Sequence, residues 1–274
     1  MKNNEATLNE QKLENNSRFI LIVSVAVALL MTIISGISFI YPDLIYPTPE
    51  LLEQYLANDL VNIILGLPLF ITALVLIRKG KPLGSLLLPG ALIYVIYNYI
   101  AYLLGRSWSW ISIINLGLVV LSLIAFFVLL KSIDHQQVME KLEGRVGEKV
   151  SGWILIIFGL MFIALAVSTI IAGIEEGTIP PLGENAVSVA DIVVSLGWIS
   201  GGILLLSKKP LGYTTALGLL VSASFLFIGL ILFFFLAPLV SDRPFDWIEV
   251  ITVLVMGLLC FVPTGIYWRG VIQS

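Results

Sequence analysis

The sequence predicts an all-α fold: a polytopic transmembrane helical bundle of eight spans, arranged as two tandem parallel four-helix repeats. Three observations lead there. Hydrophobic residues make up 58% of the 274 and charged residues only 12%, against about 25% charged in a soluble domain. Eight apolar stretches carry no Lys, Arg or Asp, and a helix of about 20 apolar residues crosses the hydrocarbon core. Three sequence landmarks recur in the same order in each half of the chain.

Taken from the start, residues 1–17 are polar and are expected to form a disordered cytoplasmic tail. The first span covers roughly 19–40. Its apolar run exceeds the roughly 7–15 residues of a signal-peptide core, and Tyr41-Pro42-Asp43 follows it instead of a small-residue cleavage site. Pro42, Asp43, Pro47 and Pro49 mark turns in the segment 41–58. Thr48 reads as a helix N-cap with Pro49 in the first helical position, and the stripe Leu52, Tyr55 and Leu56 predicts a short interfacial helix. Spans two to four follow at 60–77, 83–104 and 111–130, with Pro68 and Pro89 interrupting the second and third. The mixed charges of the segment after them suit an exposed connector. Spans five to eight lie at 152–173, 192–207, 211–236 and 249–268, with Glu249 at the boundary of the last, and the acidic segment 174–190 reads as solvated loop. The domains are thus a tail (1–17), a first repeat (18–131), a cytoplasmic linker (132–150) and a second repeat (151–274).

The repeat rests on matched landmarks. Asp59-Leu60-Val61 opens the second span and Asp191-Ile192-Val193 the sixth. The turn Lys81-Pro82-Leu83-Gly84 returns as Lys209-Pro210-Leu211-Gly212, and the segment from Arg106 to Trp110 is matched by that from Arg243 to Trp247. Gly90 and Gly218 stand at equal distances after their prolines. Each half has an even number of spans, so the expected relation is a pseudo-two-fold axis along the membrane normal.

Basic residues set the orientation. With the N-terminus in the cytoplasm, all of the 15 Lys and Arg except Arg106 and Arg243 fall inside. The positive-inside rule then predicts both termini cytoplasmic. Tyr41, Trp108, Trp110 and Trp247 fall at the outer interface, and Trp153 and Trp268 at the inner one.

Several chemistries are excluded. The net charge of -3 gives no basic signal for nucleic acid. One cysteine, Cys260, forms no intramolecular disulfide and holds no iron–sulfur cluster, and one histidine, His135, excludes multi-histidine zinc and bis-histidine haem. No metal site and no cofactor is expected. A Walker pattern is absent, which argues against ATP-driven transport within the chain.

Uncharged polar side chains remain as the available chemistry, and most lie in the first half. Asn58, Asp59 and Asn62 share a face of the second span; Tyr94, Asn98 and Tyr102 follow at four-residue steps in the third; Asn115 lies in the fourth. The ligand-binding candidates are Asp59, Asn62, Tyr94, Asn98, Tyr102 and Asn115. The bland alternative is interhelical bonding, commonly about 1 kcal/mol or less per pair. For Asp59 and Asp191 that alternative is an ion pair with Arg106 or Arg243 at the outer rim. Aligned on the shared prolines, Tyr94, Tyr97 and Asn98 become Ser222, Phe225 and Leu226 in the second half. Polarity kept in one copy only makes the first half the better site. Gly197, Gly201 and Gly202 are expected to permit close helix packing.

The run from Asn58-Asp59 through Leu67-Pro68, Arg78, Gly84, Leu87, Gly90, Tyr94 and Tyr97-Asn98-Tyr99 resembles a group of uncharacterised prokaryotic multi-pass membrane proteins. The resemblance covers the first four spans. It implies a prokaryotic cell membrane and brings no activity with it.

The expected function is non-enzymatic: binding or passage of a small solute or lipid. A membrane scaffold or partner subunit is the alternative, and an intramembrane enzyme comes third, since no nucleophile–base pair or paired carboxylates are visible. The expected partners are the lipid bilayer and that small ligand, with homo- or hetero-oligomerisation left open.

Overall fold

A computed structural model describes residues 2–175 and 182–274, with side chains described for 16–175 and 185–274. The described residues are helical, without strands, and eight helices are long and apolar enough to cross a membrane. These are the eight expected spans with shifted ends, most by a few residues and the second by eleven at its start.

Helix α1 (Lys2–Ile40) contains the first span. Its backbone is already helical from Lys2, where a disordered tail was expected. Residues 2–15 are rich in Glu, Lys, Gln, Leu and Ala, which are good helix formers, and they extend a helix already nucleated by the span. Side chains up to residue 15 lie outside the described residues. A single turn, α2 (Pro42–Ile45), leads to α3 (Pro49–Val61). Thr48 caps α3 as expected, its hydroxyl accepting from the Leu51 N–H at 3.4 Å.

Helix α3 is not a separate interfacial element. It runs through a π-helical turn, Asn62–Gly66, into α4 (Leu67–Arg78), so one 30-residue span covers Pro49–Arg78. Pro68 explains the wide turn. A proline has no N–H to give to residue 64 and its ring clashes with that carbonyl in an α-helix. In the π turn Leu67 N–H instead bonds Asn62 O. Such turns often sit at functional sites.

Next come α5 (Pro82–Leu104), which keeps Pro89 inside it, and α6 (Trp110–Ser132). The linker forms α7 (His135–Leu142), followed by α8 (Glu148–Glu175), α9 (Leu182–Leu206), α10 (Pro210–Val240) and α11 (Trp247–Ile272). The linker is less exposed than expected: Leu142 and Val146 are buried, and α7 packs on α10. The acidic-loop reading of 174–190 is corrected at both ends: α8 runs to Glu175 and α9 starts at Leu182, so the sixth span takes residues from that segment, and only 176–181 lie outside the described backbone.

Helix α5 sits at the centre. The most apolar window of that span is 83% buried, and its mean hydropathy, 1.6, is the lowest of the eight. A helix that faces protein on all sides can carry polar groups that lipid would reject. It packs on α4, α6, α9 and α10, and α10 in turn packs on α3, α9 and α11.

The two lysine-bearing hairpins, at 79–82 and 207–210, share one geometry. Gly80 N–H bonds Ile77 O at 2.9 Å and Lys81 N–H bonds Leu76 O at 2.9 Å; Lys208 and Lys209 repeat this to Leu205 O (3.0 Å) and Leu204 O (2.9 Å). The left-handed residue is Gly80 (φ 66°) in one and Lys208 (φ 51°) in the other. At the other end of the spans, Ser109 and Asp246 stand as N-caps just before Trp110 and Trp247. The first pair of landmarks matches less well. Asp59 stands 22 residues ahead of Lys81, whereas Asp191 stands 18 ahead of Lys209, which puts Asp59 about one helical turn farther from its hairpin.

Of the glycines expected at close contacts, Gly202 meets Gly152 of α8 (a Cβ there would lie 2.6 Å from Gly152 O) and Gly201 has no room beside Leu219. Gly197 is roomier, its nearest neighbour being Leu219 at 3.8 Å.

Candidate functional site

The four-residue spacing of Tyr94, Asn98 and Tyr102 places all three on one face of α5, and that face meets α3. Tyr94 donates to Asn62 Oδ1 at 3.0 Å. Gly66 makes this approach possible, since a Cβ there would lie 2.8 Å from the Tyr94 ring. Asn98 donates to the Tyr94 carbonyl (2.9 Å) and accepts from Asn58 Nδ2 (2.8 Å). Asn58 and Asn62 also reach the Tyr102 hydroxyl, at 3.1 and 3.4 Å.

Asp59 continues the network inward. It is 1% exposed and accepts hydroxyl protons from Ser35 (2.9 Å), from Tyr102 (3.3 Å) and, through a short bond, from Tyr46. Three hydroxyl donors satisfy a buried carboxylate without a cation. Tyr46 stands outside the spans. Burial, and then the neighbouring Asp59 carboxylate, push its phenol well above the ordinary value, so it remains a donor.

The expected rim ion pairs do not form. Among the described residues the ion pairs are Lys208–Glu143 at 2.8 Å and Arg243–Glu249 at 3.0 Å. Arg106 donates to the Ile45 carbonyl and lies 5.9 Å over the Tyr46 ring, so it braces Asp59 only through Tyr46. Burial lowers the Arg106 pKa. Asp191 accepts instead from Tyr97 at 3.0 Å, a bond that joins α9 to α5 across the two halves. Arg243 prefers Glu249 because the two stand six residues apart on one turn and helix start.

Beside the network lies a cavity of about 250 Å³. Asn58, Tyr97, Asn98 and Tyr102 form one wall; Phe162, Leu226, Phe227 and Phe233 of α8 and α10 form the other. The polar wall comes from the first half and the apolar wall from the second, where Leu226 and Phe227 occupy the aligned stretch. Of the sequence candidates, Tyr94, Asn98 and Tyr102 line the cavity, while Asp59 and Asn62 stand behind it.

Asn115 is a correction. It is buried, but both of its amide atoms lack a partner, and it is not among the cavity's lining residues. Helix α6 packs on α1 and α5, away from α8 and α10. Residues that the sequence reading missed are Ser35 and Tyr46, which complete Asp59, and Gln54, which lines the cavity. Ser35 is one of four hydroxyls in the first span, with Ser24, Thr32 and Ser38, and nothing in the sequence singles it out. Tyr46 lay in a proline-rich segment with no period to place it.

Among the described residues no group of three or more His, Cys, Asp or Glu is placed to hold a metal. His135 bonds Thr214 at 3.0 Å in the linker, and Cys260 is buried. No family model, curated protein or solved structure matches the chain.

Proposed function

We propose that this integral membrane protein is non-enzymatic and binds, or passes, a small amphipathic solute or lipid in the cavity between its halves. The observation that carries the reading is the two-faced cavity: amides and phenols on α3 and α5, aromatic and aliphatic side chains on α8 and α10. Such a space, mostly apolar with a few convergent polar groups, is the general character of small-molecule sites. The halves are tandem repeats related by an axis along the membrane normal. The matching hairpins and N-caps support this. Both termini face the cytoplasm of a cell membrane, a reading supported by the division of basic residues. Labelling of either terminus by an impermeant reagent in intact cells would overturn that orientation.

One observation favours a scaffold instead: the amides largely satisfy one another, as interhelical bonds do. Mass spectrometry of the purified protein separates the two readings. A solute or lipid retained near one per chain, and lost on Asn98→Leu, is the expected result. No such species, or one retained equally by the variant, would leave the scaffold.

A further inference from the structure

A second cavity, of about 390 Å³, opens at the basic end of the bundle. Lys81 of the first hairpin and Lys141 of α7 stand at it, and Leu76, Leu86, Val138 and Val271 supply its apolar walls. We propose that this cavity holds an anionic phospholipid, its phosphate between the two lysines and the start of its acyl chains against the leucines and valines.

Four features point to a lipid. The cavity lies where Arg78, Lys79 and Lys81 close the turn between two spans, which is the depth of lipid headgroups. Basic pockets between transmembrane helices bind anionic headgroups, and the volume falls within the roughly 300–1,000 Å³ of ligand sites. Its walls are aliphatic, which a free phosphate would not require. Neither lysine has an acidic partner within ion-pair distance among the described residues.

A neighbouring cavity at the same end serves as the internal contrast. At about 450 Å³ it is larger and also carries two lysines, Lys149 and Lys208. Glu143 and Glu148 line it too, and Lys208 is already bound to Glu143 at 2.8 Å. Its positive charge is matched from within the chain. No Asp or Glu side chain lines the Lys81–Lys141 cavity, and there a phosphate would supply the anion. The lipid would then contact the first hairpin, the linker helix and the last helix at once, and so would tie the two halves together.

The test uses the full chain in neutral detergent, with phosphatidylglycerol, phosphatidylcholine or inorganic phosphate added. Phosphatidylglycerol should raise Tm by roughly 3–5 °C, and the other two should not. The doubly substituted Lys81→Gln, Lys141→Gln protein should lose most of that shift, Lys81→Arg with Lys141→Arg should keep it, and Lys149→Gln with Lys208→Gln should keep it. If the double glutamine variant folds poorly, each single variant should lose part of the shift. An equal shift with phosphatidylcholine, an equal shift with phosphate, or a shift unchanged in the Lys81 and Lys141 variants would each overturn the proposal. Asn98→Leu should leave the shift intact, which separates this site from the inter-half cavity.

Discussion

Gly90 and Gly218 meet backbone to backbone where α5 crosses α10. A Cβ on Gly90 would lie 2.7 Å from Gly218 O, and one on Gly218 would lie 2.9 Å from Gly90 N. Each stands eight residues after the proline of its hairpin. Equivalent points of two related units touch only beside the axis that relates them. The crossing therefore lies where the proposed pseudo-two-fold axis would pass.

Either glycine replaced by alanine should force α5 and α10 apart. Overpacking of this kind costs about 1–3 kcal/mol, and the nearest obstructing atoms are backbone and the Pro89 ring, neither of which can turn aside. The double variant should cost less than the two singles together, because one enlarged residue already opens the gap for the other. Gly36→Ala and Gly117→Ala, where a Cβ meets nothing within 4 Å, should be neutral or slightly stabilising through helix propensity. Thermal unfolding in detergent reads all of these. Equal effects at Gly90 and Gly117 would remove the crossing from the account.

The spans were legible because bilayer thickness imposes a length and a polarity on the chain, so Leu, Ile, Val and Phe runs announce them directly. Helix faces were legible where the period is strict, and the four-residue steps of Tyr94, Asn98 and Tyr102 delivered one polar wall. Partners across helices were not. For Asp59 the sequence offers a ligand or, as the bland alternative, an arginine, yet it meets Ser35, Tyr46 and Tyr102, because burial rewards short hydroxyl bonds over a cation that must also be desolvated. Asn115 is grouped with the same candidates as a polar residue within a span, which fixes its depth alone. Depth fixes how far along the helix a residue lies and says nothing of the side of the bundle it faces. The π turn could be suspected at Pro68 but not placed, since a proline can equally kink a helix.

His135 gives the linker a pH dependence. Burial lowers its pKa, with Asp134 opposing, and its ring is bonded to Thr214 of α10. A histidine depressed on folding binds fewer protons folded than unfolded, so stability rises with pH across its titration. The loss should begin as pH falls through the unfolded value of about 6.5 and continue toward the lower folded value. His135→Gln should flatten Tm against pH between about 8 and 5.5, above the range of ordinary carboxylates. An unchanged slope in the variant would place the titration elsewhere.

Asn115 should be worth more as a leucine. Both of its amide atoms are buried without a partner, and an unmet polar group costs about 1–3 kcal/mol. Asn115→Leu keeps a similar size and should raise Tm. A clear fall in Tm would mean that the amide is paired, through buried water, and that the fourth span contributes to the polar system after all.

The last prediction concerns the inter-half cavity, where Asn98 and Tyr97 play different parts. Asn98 faces the cavity and is bonded within its own half, to Asn58 and to the Tyr94 carbonyl. Tyr97 also faces it, but its hydroxyl reaches Asp191 of the other half. The second half already carries leucine and phenylalanine at the aligned places, Leu226 and Phe225. Asn98→Leu removes two bonds, yet Asn58 keeps Tyr102 at 3.1 Å, and such membrane bonds average about 0.6 kcal/mol. Stability should therefore fall by about 1 kcal/mol, while retention of the copurifying amphiphile should drop at least about tenfold, the effect of losing roughly 1.4 kcal/mol of contact. Tyr97→Phe keeps the cavity's shape and strands the Asp191 carboxylate, so it should lower Tm more than Asn98→Leu and lower retention less. The opposite ranking, with Asn98→Leu the more destabilising and retention untouched, would make the α3–α5 network interhelical glue and nothing more.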